Sequence, residues 1–251
     1  MDISFILCVR LESAERINNF IYNIDYLCKN CIGANIFILE SDETSKVPKL
    51  LPKIKHIDHC NINYTFLKST SELFHKTKYI NILSKKVETN VVVNYDIDII
   101  LNPQAYLSCY QLIKTGYDLI YPYKKGDYLV NVKPGQNLYE RFWSNIPKYD
   151  IELKVCRYGL CQFMNTDSFL SYGSMNENFI SYGPEDKELG VRFEKLRLRL
   201  DWTNYYIVHF DHPRGINSAP KHYMANKNYE LFDKINSMTF DQIKHYYSIK
   251  K

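Results

Sequence analysis

Val91-Val92-Val93-Asn94-Tyr95-Asp96-Ile97-Asp98 is a short apolar run that ends in two carboxylates, and its reading decides the fold. An unbroken apolar run of strand length, without polar alternation, is the pattern of a strand covered on both faces. Ile3 to Val9 and Asn35 to Leu39 are runs of the same kind, the second ending in Glu40, Ser41 and Asp42. Between these two, Ser13 is placed to cap a helix whose apolar face is Ile17, Phe20, Ile21, Ile24 and Leu27. Leu73 to Leu83 has helical spacing ahead of Val91. The alternation predicts an α/β fold built from βαβ units. Such sheets bind ligands at the carboxyl ends of their strands, so Arg10, Asp42 and the Asp96–Asp98 pair are expected around one crevice.

Beyond Pro103 the spacing predicts a helix over Ala105 to Thr115 and a short strand over Asp118 to Tyr121. The polar stretch Lys124 to Gln136, punctuated by Gly126, Pro134 and Gly135, reads as a mobile loop able to close over a ligand. Tyr139 to Trp143 and Glu185 to Leu196 read as helices and Tyr205 to Phe210 as a strand. No repeat or linker divides the chain. A single domain over residues 1–251 is expected, with a first half (1–122) that binds a ligand at its strand ends, a second half (123–217) that holds the lid, and a C-terminal extension (218–251).

Composition supports a folded unit. Of 251 residues 45% are hydrophobic and 24% charged, which argues against disorder and coiled coil. The formal charge is +4, from 32 basic against 28 acidic residues, too balanced to support a protein that lives on nucleic acid. Met1 to Val9 is too short for a leader or a membrane span, and seven scattered cysteines suit reduced thiols. A cytoplasmic location is expected. Cys28 and Cys31, spaced as a redox pair, lie near the end of the first helix rather than opening one, so no thiol chemistry is assigned to them.

The chemistry concentrates at three places. Asp96 and Asp98, at i and i+2 after a buried strand, suit Mg²⁺ or Mn²⁺, and a metal there would neutralise a nucleotide diphosphate. His209-Phe210-Asp211-His212 supplies two imidazoles at another strand end; with one carboxylate they would make a mixed N/O site that favours Mn²⁺ over Mg²⁺. Gly183-Pro184-Glu185-Asp186 opens a helix, where carboxylates serve either as caps or, for one of them, as a general base.

In order and spacing these blocks resemble the GT-A-fold glycosyltransferases, and in detail the β-1,4-galactosyltransferase family and its bacterial relatives. The carriers are Ile6 to Arg10, Phe74-His75-Lys76-Thr77-Lys78-Tyr79-Ile80-Asn81, Asp96-Ile97-Asp98, Asn176 to Asp186 with Arg192, and His212-Pro213-Arg214. Residues 104–157 and the tail after Ser218 match poorly. Tyr182 and Pro184 stand where the family has Trp and Gly, and Lys187 where it has an acidic residue that touches the acceptor sugar.

The resemblance implies a Rossmann-like nucleotide-sugar-binding mixed sheet flanked by helices. It further implies an inverting transfer of galactose or N-acetylgalactosamine from a UDP-sugar to a glycan or lipid-linked acceptor, in surface polysaccharide synthesis. Arg10, Asp42, Phe74 and Lys76 would hold uridine, and Asp96 would sit near the ribose or a metal-bound water. Asp98, His209 and His212 would bind Mn²⁺, with Mg²⁺ as the alternative. Asp186 would be the base, with Glu185 and Tyr182 positioning acceptor and donor. Two other classes compete: a glycan-binding protein that keeps the fold without turnover, and a metal-dependent nucleotidyltransferase. The tail, with Tyr246 and Tyr247 among Lys244, Lys250 and Lys251, is read as a frayed basic end or a peripheral membrane contact.

Overall fold

The three apolar runs become the middle of a sheet. The computed structural model describes residues 1–132, 143, 152–156, 158–218 and 222–249. In chain order the first half contains β1 (Ile3–Val9), α1 (Ala14–Asn30), β2 (Asn35–Asp42), α2 (Val47–Leu50), β3 (Asn61–Lys68), α3 (Lys76–Ser84) and β4 (Val91–Tyr95). The second contains β5 (Ile99–Leu101), α4 (Pro103–Lys114), β6 (Leu119–Tyr121), β7 (Gly126–Val132), β8 (Glu152–Cys156), β9 (Cys161–Asn165), α5 (Thr166–Ser171) and α6 (Glu185–Lys195). It ends with β10 (Leu200–Trp202), β11 (Ile207–Phe210), α7 (Tyr223–Asn236) and α8 (Phe240–Tyr246).

Seven strands pair in the order β10-β6-β9-β4-β1-β2-β3, and β9 alone runs against its neighbours. β1 and β4 lie side by side near the centre, and their apolar residues are almost wholly buried. α1 begins where expected: Ser13 Oγ accepts from Arg16 N at 3.2 Å. A second sheet, β5-β11-β7-β8, starts where the chain leaves β4. Asp96-Ile97-Asp98 is therefore the crossover between two sheets.

One expectation changes, one lies outside the described residues, and one strand is new. Gly126–Val132, the greater part of the segment expected as a mobile loop, is a strand paired with β11 on one side and β8 on the other. Gly126, at φ 132, turns the chain into it, and Tyr128-Leu129-Val130-Asn131-Val132 is then β-prone enough to pair. Residues 133–136 of that segment lie outside the described residues, as does the helix expected over Tyr139 to Trp143 apart from Trp143 itself. β3, at the sheet edge, was not anticipated; its faces are half exposed and carry no apolar run.

Over its described residues, 222–249, the tail is helical rather than frayed. α7 and α8 are capped helices, the second by a capping box between Thr239 and Gln242. Tyr247 Oη donates to Glu188 at 2.7 Å, while Tyr246 Oη accepts from Asn178 at 3.3 Å, so both tyrosines face the protein. Among the described residues no helix is long and apolar enough to cross a membrane, and Cys8, Cys28, Cys31, Cys60, Cys109 and Cys161 are free thiols.

Candidate active site

A cavity of about 740 Å³ opens at the carboxyl ends of β1 and β4. One end is set by strand register. β11 pairs antiparallel with β5 so that His209 faces Ile99, and Phe210 N donates to Asp98 O at 2.7 Å. That pairing brings His209 and His212 against Asp98: their Nε2 atoms lie 3.8 and 2.9 Å from Asp98 Oδ2. The three residues are buried, and one ligand atom from each falls within 4.8 Å of the others. His212 Nδ1 donates to Pro213 O at 2.9 Å, which leaves Nε2 aimed inward.

Electrostatics suit the same use. Burial pushes the Asp98 carboxyl up, but the hydrogen bond from His212 and the charges of His209 and His212 outweigh it and hold the group well below the usual carboxylate range. Burial lowers the His209 imidazole against the pull of Asp98, favouring the neutral ring. An ionised carboxylate and a neutral imidazole are the ligand forms a divalent cation requires. One carboxylate and two imidazoles fit such an ion.

The other end is a cluster of carboxylates around one ammonium. Lys76, at the start of α3, places Nζ 3.0 Å from Asp96, 3.5 Å from Asp186 and 3.9 Å from Glu185. Burial works against the ammonium, yet the charges of Asp186, Asp96 and Glu185 hold it well above the ordinary lysine range. Burial and the charge of Asp186 push Glu185 up to about 8, with Lys76 opposing. Burial likewise raises Asp96 to about 6. Among the described residues, Asp186 Oδ1 and Glu185 Oε2 are buried without a hydrogen-bond partner. Asp96 and Asp98, two residues apart, thus face different partners: the turn splays them.

Asp186 is seated by a missing side chain. Gly159 has φ +87, and a Cβ there would lie 2.8 Å from Asp186 Oδ2. Leu160 and Ser181, both lining the cavity, also hold left-handed backbone (φ 60 and 62), a strain that ordinary packing rarely retains. Pro184 precedes α6 without a side-chain cap.

Of the residues expected at the site, Arg10, Phe74, Lys76, Asp96, Asp98, Tyr182, Glu185, Asp186, His209 and His212 all line this cavity. Arg10 stands 5.3 Å over the Phe74 ring and donates from Nε to Ser41 O at 2.9 Å; its Nη2 is buried and unpartnered among the described residues. Asp42 does not line it. Its carboxylate is 2.6 Å from Lys46 Nζ. Sequence reasoning missed Gly159, Arg16 and Tyr229, which also line it. A glycine just before an apolar strand was the available signal for the first; Tyr229 lies on α7, in the stretch the family resemblance does not cover.

No family model matches the chain, and no curated protein sequence does. Solved structures match over its whole length. GalNAc-T7, in a structure with UDP, GalNAc and Mn²⁺, gives a TM-score of 0.62 at 11% identity over 99% of this chain. S. aureus TarS in complex with UDP-GlcNAc gives 0.60 at 11% over 100%, covering 74% of that chain. Mannosyltransferase PcManGT from Pyrobaculum calidifontis, with GDP-Man and Mn²⁺, gives 0.55 at 13% over 100%. This chain spans 55% of the GalNAc-T7 chain and 64% of the PcManGT chain. The fold is the GT-A glycosyltransferase fold. The likeness extends to glycosyltransferases of that fold as a class and does not single out the β-1,4-galactosyltransferases.

Proposed function

We propose that this chain is an inverting, metal-dependent glycosyltransferase that moves galactose or N-acetylgalactosamine from a UDP-sugar to a glycan or lipid-linked acceptor, in surface polysaccharide synthesis. One observation carries the reading: a single cavity has the Asp98–His209–His212 set at one end and, at the other, Asp186 with a buried oxygen that no described residue partners. Asp98, His209 and His212 would hold Mn²⁺, whose bound charge offsets that of the departing diphosphate. The mixed N/O donor set supports Mn²⁺ over Mg²⁺.

Arg10 and Phe74 are the donor-binding pair that the cavity supports best, with Asp96 toward the ribose and Tyr182 beside the sugar. Glu185 keeps its proton near neutrality and so is suited to donate a hydrogen bond, which leaves the base role to Asp186. Asp186 would take the proton of the acceptor hydroxyl as that oxygen attacks the anomeric carbon. The bond from that carbon to the diphosphate breaks, UDP leaves, and the configuration inverts. Lys76, ion-paired to Asp96, Asp186 and Glu185, would keep the donor-side and acceptor-side acids in register.

The test is donor cleavage without acceptor. With Mn²⁺ the protein should release UDP slowly from UDP-galactose or UDP-N-acetylgalactosamine, and EDTA should stop it. Absence of cleavage and of any thermal shift with these donors, UDP-GlcNAc and GDP-mannose would overturn the reading.

A further inference from the structure

The middle of the large sheet holds a polar pair between apolar ones. β9 runs antiparallel to β4, and their register sets Val93 against Phe163, Asn94 against Gln162 and Tyr95 against Cys161. Asn94 and Gln162 are 2% and 0% exposed. Asn94 Nδ2 donates to Gln162 Oε1 at 2.9 Å, which fixes the Gln162 amide. Its Nε2 then donates to the main-chain oxygen of Asp186 at 3.4 Å.

The sheet has little use for this pair by itself. Replacing both partners of a buried hydrogen bond by apolar groups of similar shape is nearly neutral, so an apolar cross-strand pair would serve the sheet as well. What the amides add is a tie to α6, whose first turn carries Glu185 and Asp186 and starts at Pro184 without a side-chain cap. The chain entering β9 meets the site twice more. Gly159 leaves room for Asp186 Oδ2, and Leu160 O accepts from Asp96 N at 2.9 Å. Residues 159–162 thus contact Asp96 and Asp186 alike.

We propose that Gln162, braced by Asn94, is a positioning residue for the base: it holds the first turn of α6 by its main chain and so sets where the Asp186 carboxylate stands in the cavity. The role rests on the sugar-transfer reading, which makes Asp186 the base. Gln162 does not line the cavity. It therefore acts on the rate and not on donor affinity.

The test follows Mn²⁺-dependent UDP release from UDP-galactose or UDP-N-acetylgalactosamine, with UDP affinity by calorimetry and the melting temperature taken on the same samples. Gln162→Met strands the Asn94 amide, so kcat should fall about 10-fold and the melting temperature should drop as well. Asn94→Val combined with Gln162→Met strands neither group. The double variant should regain the melting temperature and stay about 10-fold slow, with donor KM and UDP affinity changed less than about 2-fold. In an Asp186→Asn background Gln162→Met should slow the residual cleavage no further, because its effect passes through that carboxylate. A double variant that cleaves at the wild-type rate overturns the positioning role and leaves the transferase reading standing. A rate that falls together with UDP affinity overturns it too, as does an equal further fall in the Asp186→Asn background, since Gln162 would then act on the whole site rather than through the base. A wild type that cleaves neither donor overturns the positioning role, which has no base to serve; the transferase reading falls with it only if no donor shifts the melting temperature either.

Discussion

Helix α6 carries two acidic clusters one turn apart, and they are built on opposite principles. Glu188 and Arg192 are 1% and 0% exposed. Arg192 Nε donates to Glu188 at 2.9 Å, its Nη2 reaches Ser174 O at 2.5 Å, another N–H serves Tyr172 O, and the Tyr247 ring lies 4.1 Å away. One charge meets one charge, and the donors and acceptors are served. Glu185 and Asp186 share a single ammonium with Asp96, and each keeps a buried oxygen without a partner among the described residues. Buried polar groups are normally satisfied because leaving one bare costs about 1–3 kcal/mol. The first cluster is what a fold needs; the second retains a cost that the fold alone does not repay, as the roles proposed for Glu185 and Asp186 require.

The sharpest way to break this contrast is Asp186→Asn. Size and most capping ability survive and basicity is removed. A cap is worth about 1 kcal/mol and a general base about 10² to 10⁴ in rate. Transfer, or Mn²⁺-dependent donor cleavage, should fall at least about 10²-fold with the melting temperature little changed. Loss of stability at a near-normal rate would make Asp186 a cap and erase the distinction. Glu188→Ala should do the reverse. It strands a fully buried guanidinium, a change that typically costs about 3–5 kcal/mol, or roughly 2–4 °C of melting temperature per kcal/mol in a chain of this size. Unchanged thermal stability would show that the pair is not structural.

Glu185 sharpens the contrast through pH. Its folded carboxyl is pushed up to about 8 from 4.5. The folded protein therefore holds that proton more tightly than the unfolded chain. The stability so gained is fully present below pH 4.5 and is lost as pH rises through about 8. Glu185→Gln cannot ionise. Measured without ligand in EDTA, its melting temperature relative to wild type should climb between pH 4.5 and 8 and level off above. A difference independent of pH would mean that Glu185 is not held protonated.

How much of this was legible depends on where each signal lives. β1, β2 and β4 are buried on both faces, so their apolar runs stand out in the sequence. Asp98, His209 and His212 follow or end such runs and are found with them. β3 is hard to read because its residues at the sheet edge are only half-buried and form no apolar run, and β7 because Gly126 and the polar residues near it resemble a loop. Spacing also misplaces partners. Asp42 closes β2 as expected but is taken by Lys46 one turn on, and Lys76 meets three acids that no local pattern connects. The burial of Arg192 is hardest of all, since an arginine inside a protein is recognised only through the residues that surround it.

Those residues include Tyr247, whose expected place was an exposed basic tail. A Cβ on Gly173, at φ +101, would lie 2.6 Å from the Tyr247 ring and 2.7 Å from Arg192 Nη1, so the three fit only with glycine there. Burial, followed by the charge of Glu188, pushes the Tyr247 hydroxyl well above the ordinary tyrosine range, as expected of a neutral donor to a carboxylate. Tyr247→Phe keeps the ring under the guanidinium and removes two hydrogen bonds, the donation to Glu188 and the acceptance from Asn176 at 2.9 Å. The expected cost is about 1–3 kcal/mol, below that of Glu188→Ala because the ion pair survives. Donor cleavage by the folded protein should stay near wild type, since Glu185 and Asp186 lie on the preceding turn and do not touch the ring. Parallel losses of stability and cleavage would mean that the tail reaches the reacting end of α6, and that the two clusters are one device.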